Sequence, residues 1–455
     1  MTESQRLDRL SSDSTVRTRG RLVQQKDTWR LRNLHCEYEV DFATGSHLTG
    51  SHLTGSHLTG SHLTGSRLTG SHLTGSPPTD DDNHALVELC GLREGNQIRV
   101  TSWKVITRPT IASTRLSRQR TTSLGRALNA RATFNQRARH FFFTHDFLEV
   151  ETPAWVRAPG TDVHLSPLAA PLHLEGPHRS SPGFLHTSPE LSMKRLLCEG
   201  AERIYQLTHV WRDGEVTPRH NPEFSLLEWY RAWEPLDAII ADVEALVRQT
   251  LDEHSARPIT SPIHRITMQE LVDQACGFDI LEHLDFESLR TVVHRLNLLP
   301  PHLTAVRQWD ELFFALVVEH IDPLLETLGA VFVTDWPAPL AVLARRSETD
   351  PRTAQRFELY VDGVELANGF GELTDPVEQR RRFAEDQAAR RARGLPALPM
   401  PDAFLEALEY GMPPSSGVAL GVDRLLMLKL GTRSIRDVAP FSLWRNSAGE
   451  LVDWP

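Results

Sequence analysis

The sequence predicts an α+β protein, with a large mixed domain preceded by a small β-rich one, and three observations carry this. From Thr15 to Phe42 and from His84 to Ile106 the chain alternates β-formers, as in Thr-Arg-Gly-Arg-Leu-Val and Gly-Asn-Gln-Ile-Arg-Val-Thr-Ser-Trp. From Leu124 to Phe147 it has a helical run, followed by a short strand over Leu148 to Thr152 that stops at Pro153. From Tyr205 to Trp233 it reads as two strands joined by a polar, turn-like loop, Asp213 to Pro222.

In chain order, residues 1–14 are expected to be disordered and residues 15–108 to form a barrel-like β domain. Ser46 to Gly75 interrupts that domain with six pentads of SHLTG, Arg67 replacing histidine once. Small polar residues at this period fit a flexible insertion in a loop, and six pentads are few for a β-solenoid with a core of its own. The histidines are assigned no metal. An irregular linker, 109–123, leads to the domain 124–455. In the helical run Leu128, Ala132, Asn135, Arg139, Phe142 and Phe143 leave a mixed face with aromatic residues at one end. Phe141, Phe142, Phe143 and Phe147 suit either core packing or burial between two copies of the chain.

The chain has 455 residues, 40% of them hydrophobic and 24% charged, enough for two domains and a sizeable core. A net charge of −10 disfavours a large basic face for nucleic acid, although a local patch remains compatible with it. Cys36, Cys90, Cys198 and Cys276 have no paired metal spacing and follow no secretory signal, which suggests reduced thiols in a cytoplasmic protein. No apolar run is long enough to span a bilayer.

Chemistry concentrates in three places. RFELYVDGVELANGFGEL, residues 356–373, gathers Glu358, Glu365, Asn368 and Glu372. Glu358 and Glu365 are seven apart, an odd offset that puts them on opposite faces of a continuous strand; a turn at Asp362-Gly363 can bring them together. Two converging carboxylates suit Mg²⁺, while a solvated acidic hairpin is the plain alternative. In the paired strands, Arg212 offers a planar charged fork for phosphate or carboxylate and Phe224 a stacking surface for a base. Phe224, Leu226, Glu228 and Tyr230 share one face, suggesting an amine pocket, though Phe224 also fits an ordinary core and Glu228 a pair with Arg231. The third place is SGVALGVDRLLML, near the C-terminus.

FLEVETP, HTSPELSMKRLL, RHNPEFSLLEWYR, and ELANGFGELTDPVEQRRRF with SGVALGVDRLLML occur in that order. Over about Ser123 to Phe441 the chain resembles the class II aminoacyl-tRNA synthetases, in particular the lysine branch and the lysyl-synthetase-like ligases that modify elongation factor P. The resemblance implies an antiparallel-sheet core flanked by helices, a homodimer built on the first motif, and use of ATP and Mg²⁺. By the same resemblance Arg212 meets the α-phosphate, His220 and Arg424 hold the terminal phosphates, Phe224 stacks on adenine, and Glu358 with Glu365 holds Mg²⁺. Glu190 then faces the substrate's amino group, Asn368 its carboxylate, and Glu228, Tyr230 and Glu372 the distal ammonium. Clustered carboxylates need incoming cations, which a diamino acid supplies.

In one place the chain departs from the family. After the arginine of the second motif the family has glutamate two positions on, whereas this chain reads Arg212-Asp213-Gly214-Glu215, so Glu215 takes over that contact or the contact is missing. The β-rich domain resembles the OB-type anticodon module of lysyl synthetases, shortened and eroded, and the elongation factor P ligases usually lack it. The resemblance implies activation of lysine or (R)-β-lysine and transfer to a lysine of elongation factor P, with Ala419, where lysyl synthetases tend to have glycine, reshaping the pocket for a β-amino acid. Charging of tRNA is the first alternative. A non-catalytic paralogue is the second, disfavoured because Arg212, Glu358, Glu365 and Arg424 are all present.

Overall fold

The computed structural model describes residues 15–25, 28–32, 37–41, 83, 85–107, 120–173, 180–300, 306–445 and 449–453. The expected disordered N-terminus, the SHLTG repeat and linker residues 109–119 lie outside the described residues. The last linker positions, 120–123, belong to the first helix.

Five strands, β1 (Thr15–Gln25), β2 (Thr28–Arg32), β3 (Glu37–Asp41), β4 (Leu86–Glu94) and β5 (Gln97–Thr107), form a closed barrel in the order β1-β2-β3-β5-β4. It closes because β4 pairs antiparallel with both β5 and β1. Alternation places Leu22, Leu31, Val40, Val87 and Leu89 inside. The expectation of a shortened, eroded module is therefore corrected: the two β-rich segments pair across the repeat, which falls between Asp41 and Leu86, into a complete barrel.

The larger unit is built on an eight-stranded sheet. Its strands are β6 (Leu148–Glu149), β7 (Arg203–Trp211), β8 (Glu223–Ala232), β9 (His264–Thr267), β10 (Ala330–Pro337), β11 (Thr353–Val361), β12 (Val364–Gly371) and β13 (Ser415–Gly421). Their order is β9-β10-β11-β12-β13-β8-β7-β6, antiparallel throughout the middle and parallel only in the two edge pairs, β9 with β10 and β6 with β7. Ten helices are used below as α1 (Arg120–Thr144), α2 (Glu190–Cys198), α3 (Leu236–Thr250), α4 (Met268–Cys276), α5 (Phe286–Arg295), α6 (Trp309–Leu316), α7 (Asp322–Thr327), α8 (Pro376–Ala392), α9 (Asp402–Tyr410) and α10 (Val422–Leu430).

The two faces of the sheet have different work. On one, Leu227, Trp229, Phe357, Leu359, Ala367, Val418 and Leu420 pack with α1, α3 and α10 in the main core. Each Leu or Phe so buried contributes on the order of 2 kcal/mol. The opposite face is left for chemistry. Helices α4 to α7 make a separate core against β10. Met193 and Leu197 of α2 join Phe404 and Leu405 of α9 beneath Tyr230.

Helix α1 differs from the mixed face read in the sequence. Its buried side is Ala130, Phe134, Ala138, Phe141 and Phe142, in which small alanines carry the helical period that large residues alone do not show. Phe142 stacks on Tyr205 at 4.2 Å, whereas Phe143 is 78% exposed. Among the described residues no helix is long and apolar enough to cross a membrane, and Cys90, Cys198 and Cys276 are free thiols.

Candidate active site

The β11–β12 hairpin turns through Asp362 and Gly363, at φ 49° and 72°. Two left-handed residues match the right-handed twist of the flanking strands, and glycine takes that conformation without strain. Register settles the odd offset between the two glutamates. Glu358 pairs with Asn368 and Leu359 with Ala367, but Tyr360 pairs with Glu365, so Leu366 is an extra residue in a β-bulge. The bulge moves Glu365 onto the face of Glu358 and Asn368. Asn368 lies opposite Ala419, and Ala419 opposite Glu228. One face thus carries Arg356, Glu358, Glu365, Asn368, Ala419, Phe224, Glu228 and Tyr230.

A cavity of about 720 Å³ opens over this face. Arg212, Glu215, His220, Phe224, Arg424, Glu190, Glu365, Asn368 and Ala419 line it. Glu228, Tyr230, Glu358 and Glu372 are buried on the same face without appearing at its wall.

At one end Arg212 leaves β7, its N–H bonded to the Pro222 carbonyl at 2.8 Å, with its guanidinium 5.0 Å from the Phe224 ring centre. Its Nε is buried without a hydrogen-bond partner, and Glu215 lies 3.9 Å from Nη1. Glu215 thus lies beside Arg212 at the cavity wall. Arg424, in the first turn of α10, donates from Nη1 to the Glu365 carbonyl at 3.0 Å and to its Oε2 at 3.2 Å. Its Nη2 lies 2.6 Å from His220 Nε2, and His220 Nδ1 is 2.8 Å from Thr217 Oγ1. Burial, reinforced by Arg424, pushes the His220 pKa down, so a neutral ring accepts from Arg424 and donates to Thr217.

Glu358 receives hydrogen bonds from Arg356 and from the Tyr360 hydroxyl. Burial raises its carboxyl to about 7, despite the neighbouring Arg356 guanidinium and with help from the nearby Glu365 charge. A desolvated carboxyl facing a second carboxylate fits a divalent cation, and each oxygen keeps a second lone pair.

The other end is a buried carboxylate cluster. Glu228 accepts from Tyr230 at 2.6 Å and from Ser188 at 2.7 Å. Lys194, fully buried on α2, pairs with both Glu190 and Glu372. Burial raises Glu228 to about 7 and Glu372 to about 8. Arg231 pairs with Asp242 and Glu234 instead, which removes the proposed Glu228–Arg231 pair. The sequence reading supplied every cation from outside; Lys194 is an internal one. It was missed although Glu190 and Lys194 stand four apart on a helix, the spacing of an ion pair. Arg356, two residues before Glu358 and so on its face, was missed as well.

This sheet, with an arginine at the exit of one hairpin, a carboxylate pair on the next and a second arginine opening the following helix, defines a class II synthetase core. The family described as tRNA synthetases class II (D, K and N) matches residues 108–445. Pentapeptide repeats (8 copies) match residues 43–76. Similar curated proteins include the elongation factor P–(R)-β-lysine ligase of Erwinia tasmaniensis, 41% identical over 315 residues, covering 69% of this chain and 94% of that protein. The Proteus mirabilis ligase of the same name is 41% identical over 307 residues, 68% of this chain and 92% of that one. That from Edwardsiella ictaluri is 41% identical over 317 residues, with shares of 69% and 94%. The chain belongs to the class II synthetase family and, within it, to the elongation factor P–(R)-β-lysine ligase family.

Proposed function

We propose that the protein activates (R)-β-lysine, or lysine, with ATP as an aminoacyl-adenylate and transfers the acyl group to a lysine side chain of elongation factor P. The observation that carries this reading is one sheet face that joins an end carrying Arg212 and Arg424 to a buried carboxylate cluster. At the first end, Arg212 meets the α-phosphate through an otherwise unpartnered Nε, Phe224 stacks on adenine with Glu215 beside it, and Arg424 with His220 holds the terminal phosphates. Glu358 and Glu365 would hold Mg²⁺, which when bound neutralises phosphate charge.

At the second end, Asn368 takes the substrate carboxylate, Glu190 the near amino group, and Glu228, Tyr230 and Glu372 the distal ammonium. Two carboxyls raised to about 7 and about 8 lack one cation beyond Lys194, and an ammonium supplies it. The substrate carboxylate attacks the α-phosphorus, a P–O bond forms, and pyrophosphate leaves. The acceptor amine then attacks the acyl carbon, a C–N bond forms, and AMP leaves. Positioning and fixed charge supply the catalysis. We also propose a homodimer through the first motif, where Phe143 and Leu148 are 78% and 62% exposed.

A second reading, lysyl-tRNA synthetase, is favoured by the closed five-stranded barrel that precedes the region matched by the synthetase family. Competition separates the two. Enzyme receives ATP, Mg²⁺, lysine isomers, tRNA and elongation factor P together, and both products are counted. A single lysyl-type mass on the protein is expected; lysyl-tRNA without a protein adduct refutes the proposal.

A further inference from the structure

The cavity wall carries polar residues beyond those assigned to ATP and a diamino acid. This further stretch of wall is the loop around Thr161 to His164, the start of α6 at Asp310, and Asp386 and Arg393 on and just past α8. The polar groups here fall into two sets. In the first, Asp386 accepts only from the Thr161 hydroxyl, at 2.9 Å, and Asp162 accepts the backbone N–H of His164 at 2.7 Å. Among the described residues neither carboxylate forms an ion pair. The nearby cations are engaged elsewhere: Arg390 donates to the carbonyls of Asp162 and Leu165, Arg381 to Glu378 and Glu385, and Arg382 to Glu378. In the second set, His164 Nε2 lies 3.0 Å from Asp310 Oδ2, and Arg393 donates to that same oxygen at 2.9 Å. Asp310 thereby fixes the tautomer: Nε2 carries the hydrogen and Nδ1 keeps a lone pair, the arrangement that orients a histidine base.

The reaction proposed above has a third reactant, and this stretch of wall suits it. We propose that this stretch of wall lines the entry channel for the acceptor amine, with Asp162 and Asp386 receiving it as an ammonium and His164 Nδ1 taking its proton. An ammonium has no lone pair and cannot attack. Once one N–H proton passes to His164, the freed pair forms the C–N bond to the acyl carbon, the bond from that carbon to the AMP oxygen breaks, and AMP departs. Two further features support this assignment. Burial, with the charges of Asp162 and Glu385, raises Asp386 to about 6, as for a carboxyl lacking a cation. The Asp310 hydrogen bond and the Asp162 charge raise His164 above its usual value, against burial and the Arg393 charge, which strengthens it as a base.

The inference rests on the proposed transfer to a protein amine, so the test measures both half-reactions: lysine-dependent pyrophosphate exchange into ATP, and formation of the elongation factor P adduct by mass. In His164→Gln, with folding checked by circular dichroism, the ratio of transfer to exchange is expected to fall on the order of a hundredfold. The wild-type transfer rate should climb as pH rises through the His164 titration, and that limb should vanish in the variant. Asp386→Asn should raise the acceptor concentration at half-maximal transfer severalfold relative to wild type. A wild-type enzyme that exchanges pyrophosphate yet makes no protein adduct overturns the proposed function itself. Normal wild-type adduct formation, with an unchanged ratio and pH limb in His164→Gln and an unchanged acceptor requirement in Asp386→Asn, overturns the channel alone.

Discussion

Replacing Lys194 by methionine keeps the volume and the apolar stem of a fully buried side chain and removes its charge. In the wild type that ammonium stands between Glu190 and Glu372, and Glu228 adds to the charge that Glu372 feels. Removing one member of a buried pair costs about 3–5 kcal/mol, because the remaining charge is left desolvated and unpaired. That figure applies only while the carboxylates are ionised. Glu372 and Glu228, already raised to about 8 and about 7 with Lys194 present, rise further without it, so at pH 5.5 they are neutral and the loss shrinks to roughly 1 kcal/mol. For a catalytic unit of this size about 3 kcal/mol corresponds to a fall in Tm of roughly 4–5 °C. Thermal unfolding of wild type and Lys194→Met at pH 5.5 and pH 9 therefore checks both magnitude and sign: a large deficit at pH 9, a small one at pH 5.5. Adding Glu372→Gln to Lys194→Met should restore most of the loss, the coupling expected of partners in contact. A deficit that grows toward low pH, or a double variant no better than the single one, would refute the view that Lys194 acts as counter-ion to these carboxyls.

Arg212→Ala or Arg424→Ala should lower lysine-dependent pyrophosphate exchange by on the order of a hundredfold, the scale of losing a preorganised charge partner; near-normal exchange would remove either from the phosphate site. Lysine binding should release protons at pH 7, because an ammonium lowers the raised Glu228 and Glu372 carboxyls, and calorimetry in buffers of different ionisation enthalpy reads that release directly. Without ligand these two groups hold protons that the unfolded chain gives up near 4.5, so their contribution to stability should decline as pH rises from about 5 to 8. Gly417→Ala would put a Cβ 2.2 Å from the Tyr230 ring and 2.7 Å from Glu372 Oε1, and should cost about 1–3 kcal/mol by thermal unfolding together with a raised KM for lysine. An unchanged KM there would detach Tyr230 and Glu372 from the amine pocket.

Much of the fold could be read from local sequence, because a hairpin turn and a period of two are properties of neighbouring residues, whereas the roles of His220, Arg424, Glu190, Asn368 and Glu372 came only with the resemblance to the class II synthetases. Convergence was harder. The glutamates at 358 and 365 were legible as a pair, but what unites them is the extra residue Leu366, and a bulge depends on the partner strand's register rather than on its own sequence. Lys194 and Arg356 escaped notice for a related reason: buried cations look like surface residues until the carboxylates around them are placed, and those come from distant parts of the chain. The barrel was underestimated because its closing pairs, β1 with β4 and β3 with β5, join residues separated by the repeat. In each case the missing information is a pairing across sequence distance.

Under the proposed function, the carboxylate pocket has to hold an amine site before the amine arrives. Glu228 and Glu372, both buried, and Glu190 at their edge would repel if all were ionised, yet among the described residues Lys194 is the one cation paired with this cluster. Adding a second internal cation would quiet the site and fill the place an ammonium must take. Leaving it out raises Glu228 and Glu372 toward neutrality, so that the empty pocket tolerates its own charge by holding protons. An incoming ammonium exchanges with those protons, whereas a neutral or acidic side chain has nothing to exchange. Under the proposed function, selectivity for a diamino acid follows from a deficit of one cation, and it should weaken if that deficit is removed: Glu372→Gln, which cancels one carboxylate, is expected to reduce the preference for lysine over norleucine in pyrophosphate exchange by at least tenfold. An unchanged preference would mean that shape alone selects the substrate.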